Sequence, residues 1–361
     1  MDPDAGNTEL TTPLVSILTP TFNHGRFLAS CLESVLAQEY THWELVVLDD
    51  GSIDDTVSIA SAYANRDPRI RVFTRGNRGP QHLASLYNKG LELTSGDWIA
   101  ILEGDDIWPA GKLERQVTGA APGTALSFGR CIIVDEEGIP IIAPRRQAPR
   151  EIMNNSPVGS AFAAFIKQTN FIPAVTAMVR RKNLLEIGGF IQGPGMMQVD
   201  FGTWCALGAK LPFQYFDEVL GFWRRHESSI TSTRMAEMVT SKRKFLERFM
   251  EEHPEISALL EREYAIEWRA ALRDATSEFW IQWRTAQQKL QVRDFQSARL
   301  HYHKAFWNCA GFRRKGMALV GWFAALVHIN IFAMRHESPS RVPTPSRRVP
   351  ARSGDGVTRS E

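Results

Sequence analysis

The chain has 361 residues, 43% of them apolar and 23% charged, with a formal net charge of +2. That length allows one large domain or two ordinary ones around a sizeable core, and the near-neutral charge argues against a general nucleic-acid binder. Cys31, Cys131, Cys205 and Cys309 are scattered without metal-ligand or redox spacing, so free thiols in a reducing cytosol are expected.

The opening MDPDAGNTEL is acidic and polar, unlike a secretory signal, so residues 1–12 read as a flexible N-terminus and the chain as cytoplasmic. From Val15 two patterns then alternate. VSILTP, WELVVLDD, IRVFTR and DWIAIL are short apolar runs of strand type, and FLASCLESVLAQ, DDTVSIASAYA and HLASLYNKGLEL between them have helical periodicity. Continuous apolar strands alternating with helices predict a parallel, doubly wound sheet. Ligands of such sheets bind beyond the carboxyl ends of the strands. The polar signatures PTFN, DDGS, RGNRG and EGDD all fall at those ends.

From about Ala125 to Trp223 the pattern is mixed: ALSFGRCIIVD and AVTAMVRR read as strands, AFAAFIKQ and FGTWCALGA as helices. Beyond about Thr231 nearly everything reads as helix to about Met334, and the Arg-, Pro- and Ser-rich residues 337–361 as disordered. Within the last helix a basic collar precedes the apolar run Met317–Met334. Three readings of residues 313–334 stay open: a helix buried against its neighbours, one lying in a membrane interface, or, at the lower limit of length, a membrane span.

Two acidic motifs carry chemistry. In VVLDDGSIDDT, Asp49 and Asp50 end a strand and Asp54 is placed to cap the next helix. A carboxylate here either shapes the turn or accepts hydrogen bonds from a nucleobase or ribose. In EGDD, Glu103, Asp105 and Asp106 crowd like charges at a strand end, which calls for a positive partner. Magnesium or manganese, bound through one or two carboxylates, would neutralise the charge of a leaving nucleoside diphosphate. A solvated acidic turn would account for Glu103 but poorly for the aspartate pair.

PTFN, DDGSIDDT, NRG, NKGL and GDWIAILEGDD occur in the order and approximate spacing of one family: residues 13–110 resemble the nucleotide-sugar-binding half of family 2 glycosyltransferases, which have the GT-A fold. The resemblance implies an α/β fold: a Rossmann-like, mostly parallel sheet with flanking helices, followed here by an all-helical C-terminal region. It divides the chain into residues 13–232 (nucleotide-sugar half 13–110, acceptor half 111–232), a helical region 233–336 and the tail. It also implies that Pro20, Thr21, Phe22, Asn23, Asp49, Asp50 and Asn77 bind the nucleotide sugar, with Pro20, Thr21 and Phe22 around the base and Asp50 on it. Asp105 and Asp106 take the Asp-X-Asp role, Asp106 as the direct metal ligand and Asp105 nearer the donor ribose or sugar.

Further along, GGFIQGPGMMQVDFGTW aligns with the family's Glu-Asp segment, here Val199-Asp200, which makes Asp200 the general base of an inverting transfer. WRRHESSIT resembles the Arg-X-His closing segment, which puts Arg224 and Arg225 on the diphosphate and His226 on the metal. The family's Ala-Arg-Asn is replaced by Leu86-Tyr87-Asn88. The implied enzyme uses Mg2+ or Mn2+ and a nucleoside-diphosphate sugar and acts on a glycan or lipid-linked acceptor; contact with the inner face of the cell membrane through residues 313–334 belongs to the interfacial reading of that stretch. A sugar nucleotidyltransferase is the alternative, although TPTFNHGRF lacks the Gly-rich, Arg-containing loop of that class. A non-catalytic binding protein of the same fold is another.

Overall fold

In the computed structural model, which describes residues 12–142, 148–167, 170–226, 234–291, 294–309 and 311–326, the first hundred residues follow the expected alternation. It runs β1 (Val15–Thr21), α1 (Gly25–Leu36), β2 (Trp43–Asp49), α2 (Thr56–Arg66), β3 (Ile70–Thr74), α3 (Leu83–Leu93) and β4 (Trp98–Ile101). The four strands are parallel in the order β3-β2-β1-β4. Period-two side chains split their apolar residues between two layers. Ile17, Leu45 and Val47 pack under α1 and α2, while Leu18, Val46 and Leu48 pack on the opposite face with Leu86 and Leu91 of α3.

The middle of the chain supplies α4 (Lys112–Gly119), β5 (Leu126–Val134), β6 (Pro140–Ile142), α5 (Arg150–Met153), α6 (Ser160–Lys167), β7 (Met178–Arg180), α7 (Arg181–Glu186), α8 (Asp200–Gly208) and β8 (Phe213–Arg224). β7 joins the sheet antiparallel to β4, and β5 lies antiparallel to β7 and parallel to β8. The result is a mixed eight-stranded sheet, parallel across its N-terminal half.

The rest is helical: α9 (Met235–Glu252), α10 (Pro254–Tyr264), α11 (Trp268–Ala275), α12 (Glu278–Gln291), α13 (Phe295–Trp307) and α14 (Phe312–Leu326). The apolar core does not stop at residue 232. Phe245, Phe249, Leu260 and Leu272 belong to the same core as Leu18 and Trp204. α12, α13 and α14 form a separate core around Phe279, Tyr302 and Ala318. Among the described residues no helix is long and apolar enough to cross a membrane. Residues 327–334 of the apolar run and the tail 337–361 lie outside the described residues.

Strand register positions the site. Thr21 of β1 pairs with Asp49 of β2, and Asp49 with Thr74 of β3, so three carboxyl ends form one row. Leu18 pairs with Ile101, the last residue of β4, so the EGDD turn emerges beside Pro20 and Thr21.

Candidate active site

The loops at this edge are laced together by short polar side chains. Asn23, at φ 53°, accepts the Ile53 amide (2.9 Å) and donates its own amide to the Ser52 hydroxyl (2.8 Å). Asp54 accepts the amides of Gly25 (2.9 Å) and of Thr56 (3.0 Å), the first residue of α2. Asp49 is fully buried and accepts the amides of Gly51 (3.1 Å) and Ser52 (3.2 Å). Gly51, at φ 79°, has no room for a side chain, since a Cβ would lie 2.5 Å from the Asn77 nitrogen. That contact brings the segment carrying Asn77 against the aspartate turn.

These loops frame one end of a cavity of about 780 Å³ lined by Pro20, Thr21, Phe22, Asp50 and Asn77. Phe22 stays 43% exposed, so its ring is open to stacking. Asp50 takes the Arg75 Nε at 2.6 Å through Oδ1, and among the described residues Oδ2 has no protein donor. Asn23 and Asp49, expected among the sugar-nucleotide ligands, do not line the cavity. Asn23 Oδ1 and both Asp49 oxygens are taken up by the turns they build.

The EGDD turn forms the floor. Gly104 donates its amide to the Pro20 carbonyl (3.0 Å), and a Cβ there would meet Thr21 Oγ1 at 2.8 Å and His24 Nδ1 at 3.0 Å. Glycine therefore lets three carboxylates settle against β1. One oxygen each from Glu103, Asp105 and Asp106 lies within 4.8 Å of the others. Asp105 Oδ2 is 2.9 Å from His226 Nε2 and 3.9 Å from His24 Nε2. Burial pushes the Asp105 carboxyl up, but the two histidines outweigh it and hold it below the ordinary range. Burial, with the charges of Asp105 and Glu103, holds Asp106 well above it. Glu103 is pushed up to about 8 by burial and by the charges of Asp105 and Asp200. It is not the solvated residue its sequence context suggests: it lines the cavity and accepts the Tyr87 hydroxyl at 3.2 Å.

β8 delivers the basic segment. Backbone bonds between Ile107 and Phe222, 3.2 and 2.9 Å, clamp its end to the acidic turn. Arg224 then donates its amide to Asp106 Oδ1 (2.9 Å) and its Nε to the Asp105 carbonyl (2.8 Å). It braces the turn from behind and, unlike the expected diphosphate ligand, does not line the cavity. Arg225 does. Its guanidinium lies 3.8 Å over the Trp223 ring, and its buried Nε has no hydrogen-bond partner. His24 Nδ1 and Thr21 Oγ1 are likewise buried without partners.

Asp200 faces the same cavity as the first residue of α8. Its Oδ2 accepts the Asn170 amide at 2.6 Å and its Oδ1 the Phe201 amide at 2.7 Å. Burial pushes it up to about 6, opposed by those donors and by Lys242. Val199, where the resemblance expects Glu, is buried in the core. Sequence reasoning missed His24, Tyr87, Asn170 and Lys242 as cavity residues. His24 left a trace as the neighbour of a singled-out loop asparagine, and Tyr87 as the departure from the family's Ala-Arg-Asn.

The sequence model of "Glycosyl transferase family 2" matches residues 16–188. A putative teichuronic acid biosynthesis glycosyltransferase of Bacillus subtilis (strain 168) is 31% identical over 226 residues, 62% of this chain and 83% of the relative. The UDP-Glc:alpha-D-GlcNAc-diphosphoundecaprenol beta-1,3-glucosyltransferase of Escherichia coli is 33% identical over 149 residues, 40% of this chain and 57% of the relative. A mannosyltransferase from Pyrobaculum calidifontis, solved in complex with GDP-Man and Mn2+, superposes with a TM-score of 0.51 at 16% identity, over 88% of this chain and 81% of that one, a likeness of fold.

Proposed function

Since the chain belongs to glycosyl transferase family 2, we propose that it is a cation-dependent, inverting glycosyltransferase that moves a sugar from a nucleoside diphosphate to a hydroxyl of a polysaccharide or lipid-linked glycan. One observation carries this reading: the base-side loops, the acidic turn and Asp200 all line one cavity. Pro20, Thr21 and Phe22 flank the nucleobase, Asp50 and Asn77 offer it polar groups, and Arg225 faces the diphosphate. Asp105 would hold Mg2+ or Mn2+ together with His226 and His24, or with Glu103 and Asp106. The mixed carboxylate and imidazole set, with His24 Nε2 turned towards Asp105, fits such an ion. When bound, the cation neutralises charge on the departing nucleoside diphosphate.

Because Asp105 belongs to both ligand sets and Asp106 is tied to the Arg224 amide, Asp105 is the better direct ligand. Asp200 accepts the proton of the acceptor hydroxyl as that oxygen attacks the anomeric carbon from the face opposite the leaving group. Asn170 and the Phe201 amide orient its two oxygens.

Residues 13–232 form the catalytic unit in this reading, and α9, α11 and α12 close its acceptor side. α14 exposes Phe312, Leu319, Val320, Phe323 and Leu326 beside Arg313. The spacing places them on one helical face. That face supports peripheral contact with the inner membrane surface.

The test is nucleotide release from a panel of nucleoside-diphosphate sugars with and without manganese. Cation-dependent hydrolysis of one donor, lost in Asp105→Ala, is expected. No hydrolysis and no cation-dependent nucleotide binding would refute the reading. Product of retained anomeric configuration would refute inversion.

A further inference from the structure

The helical end of the cavity holds charge that the donor half does not use. Lys242 of α9 and Arg284 of α12 both line it. Lys242 Nζ lies 3.6 Å over the ring of Phe201, the residue next to Asp200. Arg284 gives one N–H to the Ala275 carbonyl at 2.9 Å. Among the described residues neither forms an ion pair, although most arginines on the outer surface of these helices do. Desolvation, with the charge of Arg284, pulls Lys242 down to about 7. The Asp200 carboxylate offsets part of the Lys242 charge, but the two partly buried cations still repel each other, and an anion between them relieves that cost. The wall beside them is aliphatic, with Met238, Val239, Leu246 and Leu272.

We propose that Lys242 and Arg284 form an anion subsite that holds a phosphate ester of the acceptor beside Asp200. The subsite deepens the glycosyltransferase reading and rests on it. An ammonium and a guanidinium match phosphate oxygens, and the aliphatic wall suits an ester whose other side is apolar. The phosphate belongs either to a lipid carrier or to the glycan itself. Both sources share this chemistry.

The experiment measures binding to the full-length protein by calorimetry. Farnesyl diphosphate, farnesol and inorganic pyrophosphate are titrated in EDTA, and UDP with manganese is titrated separately. Farnesyl diphosphate binding weakened about tenfold by Lys242→Gln and by Arg284→Gln, and restored by Lys242→Arg, is expected. Farnesyl diphosphate binding well above pyrophosphate assigns the phosphate to a lipid carrier; equal binding assigns it to a glycan ester. Lys242→Arg also shows that the site survives substitution.

The proposal is overturned if wild-type protein binds neither anion, if both glutamine variants bind them like wild type, or if farnesol responds to the variants equally. It is overturned too if the variants weaken UDP binding as much, since the cations would then serve the donor. UDP binding without either phosphate probe defeats the subsite alone. Absence of UDP binding and of donor hydrolysis defeats the glycosyltransferase reading, whatever the phosphate probes show.

Discussion

Removing the Asn170 amide tests whether Asp200 works as the base. The Asn170 Nδ2 to Asp200 Oδ2 bond is 2.6 Å long and its acceptor is a carboxylate. Hydrogen bonds to charged groups contribute about 1.5–3 kcal/mol. Asn170→Ala withdraws that from the ionised form only, and at about 1.4 kcal/mol per pH unit Asp200 should rise by about one to two units. Burial already holds Asp200 at about 6. A base acts ionised, so activity is present above that value and lost as pH falls through it. The acid limb of kcat/KM should therefore lie near 6 in wild type and move up in Asn170→Ala, with a loss of about two- to fifteen-fold at pH 7 that is recovered by about pH 9. Recovery is the control, because Asn170 Oδ1 also accepts the Ile172 amide (3.0 Å) and its loss could disturb the loop. Asp200→Asn should cost about 10²–10⁴-fold at pH values above the wild-type limb. An unmoved limb in folded Asn170→Ala, or near-normal turnover in Asp200→Asn, would refute the assignment.

Other expectations follow from the cation site, a loop glycine and the last helix. Manganese at a hundredfold excess over its dissociation constant should add about 2.7 kcal/mol to stability, read as a rise in Tm that Asp105→Ala abolishes. A Tm that ignores manganese in wild type would count against the site. Gly51→Ala must adopt φ 79° with its Cβ against the Asn77 nitrogen. Calorimetry should show a loss of about 1–3 kcal/mol, and nucleotide titration a weaker donor. The double change Leu319→Asp and Phe323→Asp should abolish flotation with anionic vesicles and leave donor hydrolysis in solution unchanged. Equal flotation of both proteins would remove α14 from any membrane role.

The parallel half of the fold was legible because burial on both sheet faces writes continuous apolar strands, as in VSILT and ELVVL, and polar residues then collect at strand ends. The mixed half was less so. β6 is three residues long, too short for a period to register, and although AVTAMVRR read as a strand, the antiparallel placement of β7 beside β4 depends on a tertiary contact. Family membership closes the nucleotidyltransferase alternative that the sequence left open, and the donor-release assay decides the non-catalytic one. Asn23, Asp49 and Arg224 lie outside the cavity lining. Each sits in a motif at the site, but its polar atoms build the loops that hold the cavity residues.

The acceptor side was hidden for another reason. Lys242 lies in KRKFLERF, where a lysine on an amphipathic helix reads as a solvated charge. Arg284 lies more than forty residues further on, in a helix whose tryptophans read as core. What distinguishes these two from the other cations of the helical region is that α9 and α12 turn them inward onto the cavity that holds Asp200, whereas Arg243 and Arg248 of α9 pair with Glu247 and Glu252. That difference arises only when the helices pack. In the proposed reading residues 13–110 present a donor cleft whose chemistry is readable from loops, and the helical region supplies walls and charge that become visible only after folding. A change of acceptor can follow from altering these helices while the strand-end motifs stay as they are.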